Sequence, residues 1–378
     1  MKITAINLSV FDLPAVTRRF RLADEDHPSR LRWRQDFEPR GRETVHVLHV
    51  VTDEGLEGVC TVGDARYTQM RTEDLEQLRL LAVGEDPLAR ERLYAKVAGA
   101  TRQVFAPPGW SGAFDNCLWD IAGKASGQPV YRMMGAPREE APAYLNYFGA
   151  SLEEVLADAA KAWDEGWRVL KDHYSGEAPT NIAWFEATRA RFPDAVLLHD
   201  AALSTYGFPE AVRVGLCLQE QGYLWFEEPL ADRALADLQR LCARLDIPVA
   251  ACETFMGDHA LCAEWLRAGA VDILRGNGRH GTTPLIKLAA MAEHHGTTVE
   301  LNGPGGLFGL VNTQLCCGLA ATTYYEFFPG GTRDLLGKEI GLTNPAMPSA
   351  GIVRPPSGPG WGAEWDRPYF EKVRVAVV

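Results

Sequence analysis

The chain contains no Cys-x-x-Cys pair, although it carries eight cysteines, scattered as Cys60, Cys117, Cys217, Cys242, Cys252, Cys262, Cys316 and Cys317. That spacing excludes the dense disulfide framework of small secreted domains and points to reduced core residues. No apolar run approaches the roughly 20 residues of a membrane span. The amino terminus, Met-Lys-Ile-Thr-Ala-Ile-Asn-Leu, alternates like a strand and lacks the long apolar region of a signal peptide, so a cytoplasmic protein is expected. Basic charge is in deficit too: 38 Lys and Arg against 50 Asp and Glu leave a formal net charge of −12. Nucleic acid and anionic membranes are recognised by clustered Lys and Arg, so neither is expected as a partner, and a small molecule is.

What is present is enough for one barrel and a smaller companion: 378 residues, 46% of them hydrophobic. Strand-like alternation at Ile3 to Val10, Thr44 to Thr52 and Leu56 to Val62 is followed by helical periodicity near 72–82, 86–97 and 112–127, which predicts an α+β domain over residues 1–135. From about Pro142 short apolar strands alternate with amphipathic helices, the pattern of parallel βαβ units. Eight such strands, near 144–147, 168–171, 195–200, 224–227, 248–253, 271–275, 298–301 and 324–328, predict a closed (β/α)8 barrel over 136–343. The Pro- and Gly-rich residues 344–378 are expected to pack back onto the first domain.

Three successive strands finish on an acid: Leu198-His199-Asp200, Trp225-Phe226-Glu227 and Ala251-Cys252-Glu253. In a parallel barrel the carboxyl ends of the strands form the catalytic face, so these side chains converge there. A set made only of carboxylates suits Mg²⁺ better than Zn²⁺. The bland alternative is that each acid caps the next helix; three in a row, each after a buried run, weigh against it. Strand alternation turns Glu228 away from Glu227, which makes Glu227 the expected ligand.

Trp225-Phe226-Glu227-Glu228-Pro229-Leu230 resembles the W-x-E-E-P motif of the mandelate racemase/muconate lactonizing enzyme branch of the enolase superfamily, with Asp200 before it and Glu253 after it. Asp115-Asn116-Cys117-Leu118-Trp119-Asp120-Ile121-Ala122-Gly123-Lys124 is similar to that family's helix before the barrel. The resemblance implies a capping domain over a modified barrel, a bound Mg²⁺ held by Asp200, Glu227 and Glu253, an enolate intermediate and a homo-oligomer. It also places Lys171 and His173, in Lys171-Asp172-His173, as a variant of the family's K-x-K, with His173 as the base and Lys171 offsetting charge on the enolate.

Where many relatives carry an Asp after strand six and a His after strand seven, this chain has Arg275 or Asn277, depending on register, and Asn302. That substitution argues against racemisation, which needs an acid/base group on each face of the carbon. His280 is a candidate for helping a β-hydroxyl leave. Glu326, at the end of strand eight, is a candidate hydrogen-bond partner of a substrate carboxylate or, if protonated, an electrophile. Arg30, Arg32, Trp33, Arg34, Arg40 and Arg42 crowd one loop of the first domain, read as a flap where Arg32 and Trp33 meet an acidic substrate; Arg275 and Asn302 are the other expected substrate contacts. Gly303-Pro304-Gly305-Gly306 is not a dinucleotide fingerprint.

The sequence therefore predicts a Mg²⁺-dependent lyase acting on a small carboxylate, foremost an acid-sugar dehydratase. An epimerase, racemase or lactone cycloisomerase of the same superfamily is the alternative. A Schiff-base aldolase through Lys171 and a non-catalytic binding barrel are the readings from other classes.

Overall fold

The computed structural model describes the chain apart from residues 15–17, 26–31, 40, 63–69, 102–108, 203–205, 305 and 330–335, with backbone alone for the rest of 15–40 and for residue 336. Two long strands, β1 (Ile3–Pro14) and β4 (Arg42–Thr52), pair antiparallel along their whole length, and β5 (Glu57–Thr61) joins β4. Between them β2 (Arg18–Glu25) and β3 (Arg32–Pro39) form a separate two-stranded ribbon. The Arg-rich stretch read as a loop is therefore in large part a strand, with Trp33 paired to Asp24 and Arg32 to Glu25 in register. Three helices follow: α1 (Thr72–Ala82), α2 (Arg90–Ala100) and α3 (Gly109–Ser126).

The barrel strands are β6 (Ala141–Asn146), β7 (Val169–Asp172), β8 (Val196–Asp200), β9 (Phe226–Glu227), β10 (Val249–Ala251), β11 (Ile273–Gly276), β12 (Val299–Leu301) and β13 (Tyr325–Phe327). Each pairs in parallel with its neighbour, and β13 returns to β6, so the sheet curls into a nearly closed barrel of eight, as expected from the alternation. Helices cross over between the strands with their apolar faces inward. In Leu152–Asp164, for example, Val155, Ala159 and Ala162 are buried at helical spacing, and the Ser151 hydroxyl accepts the Glu154 N–H to start the helix. Two short strands complete the fold: β14 (Ile352–Val353) lies antiparallel on β6, and β15 (Arg374–Val377) pairs with β1. Seven of the eight cysteines are buried and all are free thiols. No helix among the described residues is long and apolar enough to cross a membrane.

Helix α3 is the joint between these parts, and it is buried along nearly its whole length. Its Asp120 carboxylate accepts the N–H groups of Val59 and Trp361, one from the amino-terminal sheet and one from the closing segment. Asn116 donates to the Gly278 carbonyl at 2.8 Å and accepts from the Thr282 N–H and hydroxyl, while Asp115 accepts the Thr283 N–H at 2.7 Å. The helix thus grips both ends of the loop that leaves β11. Gly112 allows the close approach, since a Cβ there would lie 2.1 Å from the Arg279 carbonyl oxygen.

Burial pushes the Asp115 carboxyl up to about 6, against the hydrogen bonds from Thr283 and the charge of Arg90 that favour its anion. Because its folded value lies above the unfolded one, near ~3.9, the ionised group costs stability fully above about pH 6, and the cost fades as pH falls toward the unfolded value. Asp115→Asn keeps an acceptor for Thr283 and removes the charge. We expect it to raise unfolding free energy at pH 8 by roughly 1–3 kcal/mol, with the gain disappearing near ~pH 4. Urea titrations at the two pH values measure this, and a loss of stability at pH 8 would contradict the account.

Candidate active site at the mouth of the barrel

Inside the barrel, side chains stack in layers, each drawn from alternate strands. Val169, Trp225, Ile273 and Tyr324 lie lowest among the odd-numbered strands' contributions and pack with Tyr144, Leu198 and Ala250 in an apolar cluster of their own. Two residues further along those same strands stand Lys171, Glu227, Arg275 and Glu326, all essentially inaccessible to solvent. Their charges alternate around a closed square. Lys171 Nζ is 3.1 Å from Glu227 and 2.8 Å from Glu326, and Arg275 is 2.8 Å from Glu227 through Nε and 3.0 Å from Glu326 through Nη2. Trp225 Nε1 donates to Glu227 from the layer beneath, and the Lys171 ammonium lies 5.2 Å over the Tyr144 ring.

The groups above the square belong to the even strands and to the strand ends. Asp200 Oδ2 is 3.2 Å from Lys171 Nζ and 3.2 Å from His173 Nε2. The other ring nitrogen of His173, Nδ1, is buried and finds no partner among the described residues; the ring stacks on Phe148 at 5.3 Å. Burial would lower the His173 pKa, but the charge and hydrogen bond of Asp200 outweigh it and raise it. Across the barrel, Asn302 donates to Glu253 at 2.8 Å, and Asn277 donates to the Asn302 carbonyl. The register of β11 settles which residue follows it: Arg275 pairs with Glu300 inside the strand, and Asn277 lies past its end beside Asn302.

Glu253 does not end a strand as expected. The sheet stops at Ala251, Cys252 takes a left-handed conformation (φ 82°), and Glu253 opens a short 3-10 turn, Glu253–Phe255. Asp232 fixes that turn, accepting the N–H of Cys252 at 2.9 Å and the N–H and hydroxyl of Thr254 at 2.7 and 2.8 Å. Glu228 also departs from the alternation. Its φ of 45° takes it out of the strand. Burial and then the charges of Glu253, Asp200 and Asp232 raise its carboxyl well above the usual range. No sequence pattern announced either left-handed residue.

Burial also raises Glu253, and it pushes Glu227 up to about 7 against Arg275 and Lys171. Glu326 goes the other way: despite burial, Lys171, Arg275 and the Gly303 N–H hold it down to about 2. Glu326 is taken up by Lys171, Arg275 and the Gly303 N–H in this arrangement. Arg275 is likewise consumed by its three acids and sits beneath the mouth, where a substrate contact was expected. His280 packs against Gly257 and the cap helix, with Gly112 at its backbone. The side chains of Arg32 and Trp33 lie outside the described residues.

Four acids, Asp200, Glu227, Glu253 and Glu326, meet two permanent cations here. Among the described residues no three His, Cys, Asp or Glu side chains converge closely enough to hold an ion as they stand; Lys171 and Arg275 draw the carboxylates to themselves. The donor set is nevertheless all oxygen, the carboxyl groups outnumber the two fixed cations, and Glu227 Oε1 is buried without a hydrogen-bond donor. Those three features fit a hard divalent cation.

Residues 154–369 match the family described as enolase C-terminal domain-like, and residues 20–135 match the mandelate racemase/muconate lactonizing enzyme N-terminal domain. Among curated relatives, a D-galactonate dehydratase family member of Enterococcus gallinarum is 25% identical over 77% of this chain and 83% of its own length. A D-galactarolactone cycloisomerase of Agrobacterium fabrum is 27% identical over 78% and 82%. The solved D-glucarate dehydratase of Agrobacterium tumefaciens, complexed with magnesium, superposes with a TM-score of 0.81 at 26% identity, covering all of both chains. With both of its domains matched, the chain belongs to the enolase superfamily, in the mandelate racemase/muconate lactonizing enzyme branch.

Proposed function

We propose that this protein is a Mg²⁺-dependent dehydratase of an acid sugar, removing the proton next to the substrate carboxylate and expelling the β-hydroxyl to give a 2-keto-3-deoxy acid. The observation that carries the reading is an asymmetry. His173, with one ring nitrogen uncommitted, stands beside Lys171 and Asp200 on β7 and β8, while the opposite side of the mouth, past β11 and β12, holds the amides Asn277 and Asn302. A base on one face alone serves elimination, whereas inversion at carbon needs a second. The names of relatives support the same class, including the glucarate dehydratase solved with magnesium.

Asp200, Glu227 and Glu253 would hold the cation. When bound, the ion would supply fixed positive charge where the substrate carboxylate gains electron density. His173, in its neutral form with Nε2 toward Asp200, takes the α-proton on Nδ1 and can return it to the β-hydroxyl, which leaves as water; the Phe148 ring against its face keeps the imidazole in one plane. Lys171 adds a second positive charge, held in place by Asp200, Glu227 and Glu326. Glu326 and Arg275 are positioning residues beneath the reacting layer, and Asn302 orients Glu253. Arg32 and Trp33 of the β2–β3 ribbon remain proposed substrate contacts. Lactone cycloisomerisation is the second reading, favoured by the cycloisomerase among the relatives; it starts from the same proton removal and differs in product. Lys171 does not suit a Schiff base, because burial, which would lower its pKa, is outweighed by Glu227 and Glu326, so the amine is kept charged.

A panel of acid sugars assayed for 2-keto product tests the reaction. Replacement of His173 by Asn is expected to lower kcat by about 10²–10⁴-fold and to abolish exchange of the substrate α-hydrogen in D₂O, with the circular dichroism spectrum unchanged. Full α-hydrogen exchange in that variant would remove His173 from the base role. Dialysis against EDTA is expected to abolish turnover and Mg²⁺ to restore it. Borohydride with substrate is expected to leave Lys171 unmodified, and a reduced adduct there would replace the metal mechanism with an aldolase.

A further inference from the structure

The guanidinium of Arg275 occupies an unusual place: it is fully buried inside the barrel, one layer below the mouth, in contact with two of the three carboxylates assigned above to the cation. Its Nη2 reaches Glu326 at 3.0 Å and its Nη1 reaches the Tyr144 hydroxyl at 3.4 Å, so one edge of the group is well anchored. The other edge is different. Nε lies 2.8 Å from Glu227 Oε1 and 3.6 Å from Glu253, yet neither Nε nor Glu227 Oε1 completes a hydrogen bond with any described group. Charge alone holds this contact, and the carboxylate oxygen keeps its lone pairs for another partner. A guanidinium cannot shed its proton to make room for a second cation.

We propose that Arg275 is a resident counter-ion that competes with the divalent cation for Glu227 and Glu253, stabilising the metal-free barrel and weakening metal binding. The proposal rests on the metal reading above. Without an ion, Arg275 offsets the carboxylates that would otherwise repel one another in a water-poor interior. With an ion, two positive charges share Glu227, and the Nε edge gives way while the Glu326 and Tyr144 contacts stay. The affinity of the site is therefore set in part by a residue that is not a ligand, and metal occupancy follows the supply of free Mg²⁺.

The test is calorimetric titration of the metal-stripped full-length protein with Mg²⁺ and with Mn²⁺, together with thermal unfolding with and without each ion. Arg275→Met is expected to bind Mn²⁺ at least about tenfold more tightly than the unaltered protein, about 1.4 kcal/mol. Its metal-free form should melt lower, and its Tm should rise more on adding Mg²⁺. Arg275→Lys, which keeps a charge but lacks the Nε edge, covers the case in which the Met variant fails to fold, and it too should bind more tightly. Equal or weaker binding in a folded variant overturns the role given to Arg275 and leaves the metal reading standing. If the unaltered protein binds neither ion, the metal reading itself falls.

Discussion

The square formed by Lys171, Glu227, Arg275 and Glu326 is the constraint on which the rest of the site depends. Four charges from alternate strands neutralise one another in pairs, none with access to water. Removing one leaves a buried charge uncompensated, which is far more damaging than the net worth of the intact set suggests. The square therefore ties β7, β9, β11 and β13 to one relative height. A slip of one residue in any of them would turn its charged side chain out of the square and break the two contacts it makes there. The groups proposed for chemistry sit at a fixed distance above that level: His173 two residues beyond Lys171, Asn277 two beyond Arg275, Asp200 beside both Lys171 and His173.

The square also explains why the floor beneath it is apolar and aromatic. Tyr144 and Trp225 pack edge to face at 5.8 Å, and each turns its one polar atom upward, the Trp225 Nε1 to Glu227 and the Tyr144 hydroxyl toward Arg275. Buried aromatics with a polar handle suit a boundary between an apolar layer and a charged one. From outside, α3 secures the loop after β11 at Gly278, Thr282 and Thr283. The loop on the amide side of the mouth is held by α3 in this way.

Much of this was legible in the sequence because barrel geometry makes it periodic. Apolar runs ending on an acid at one βα interval gave the strands and put Asp200 and Glu227 at one end of the barrel. What escaped was set by single backbone conformations and by register. Glu228 leaves the strand at a left-handed φ; Glu253 was expected on a strand, and Cys252 with the Asp232 clamp places it on a turn. Arg275 and Asn277 could not be told apart as the residue after strand six until the pairing of β11 with β12 fixed the strand end. The β2–β3 ribbon was hidden because an Arg-rich stretch has no apolar alternation to read. Glu326 and Arg275, judged from their place at strand ends, were expected to meet substrate; only their mutual contacts show that they meet each other.

One pair outside the barrel interior bears on the same point. Asp172 and His199 lie on adjacent strands, directly paired in register, and each has its neighbour in the site: Asp172 stands between Lys171 and His173, and His199 precedes Asp200. Alternation sends both outward, where the Asp172 carboxylate meets His199 Nδ1 at 2.5 Å among Tyr174, Phe185 and Phe226. The Tyr174 N–H also bonds Asp172 and so braces the chain just past His173. A polar contact enclosed by aromatic rings is strengthened by its low dielectric surroundings. Strands β7 and β8 are thus pinned from both sides, by Lys171 to Asp200 within and by Asp172 to His199 without, which fixes where His173 stands and the angle it presents, as the role proposed for it requires.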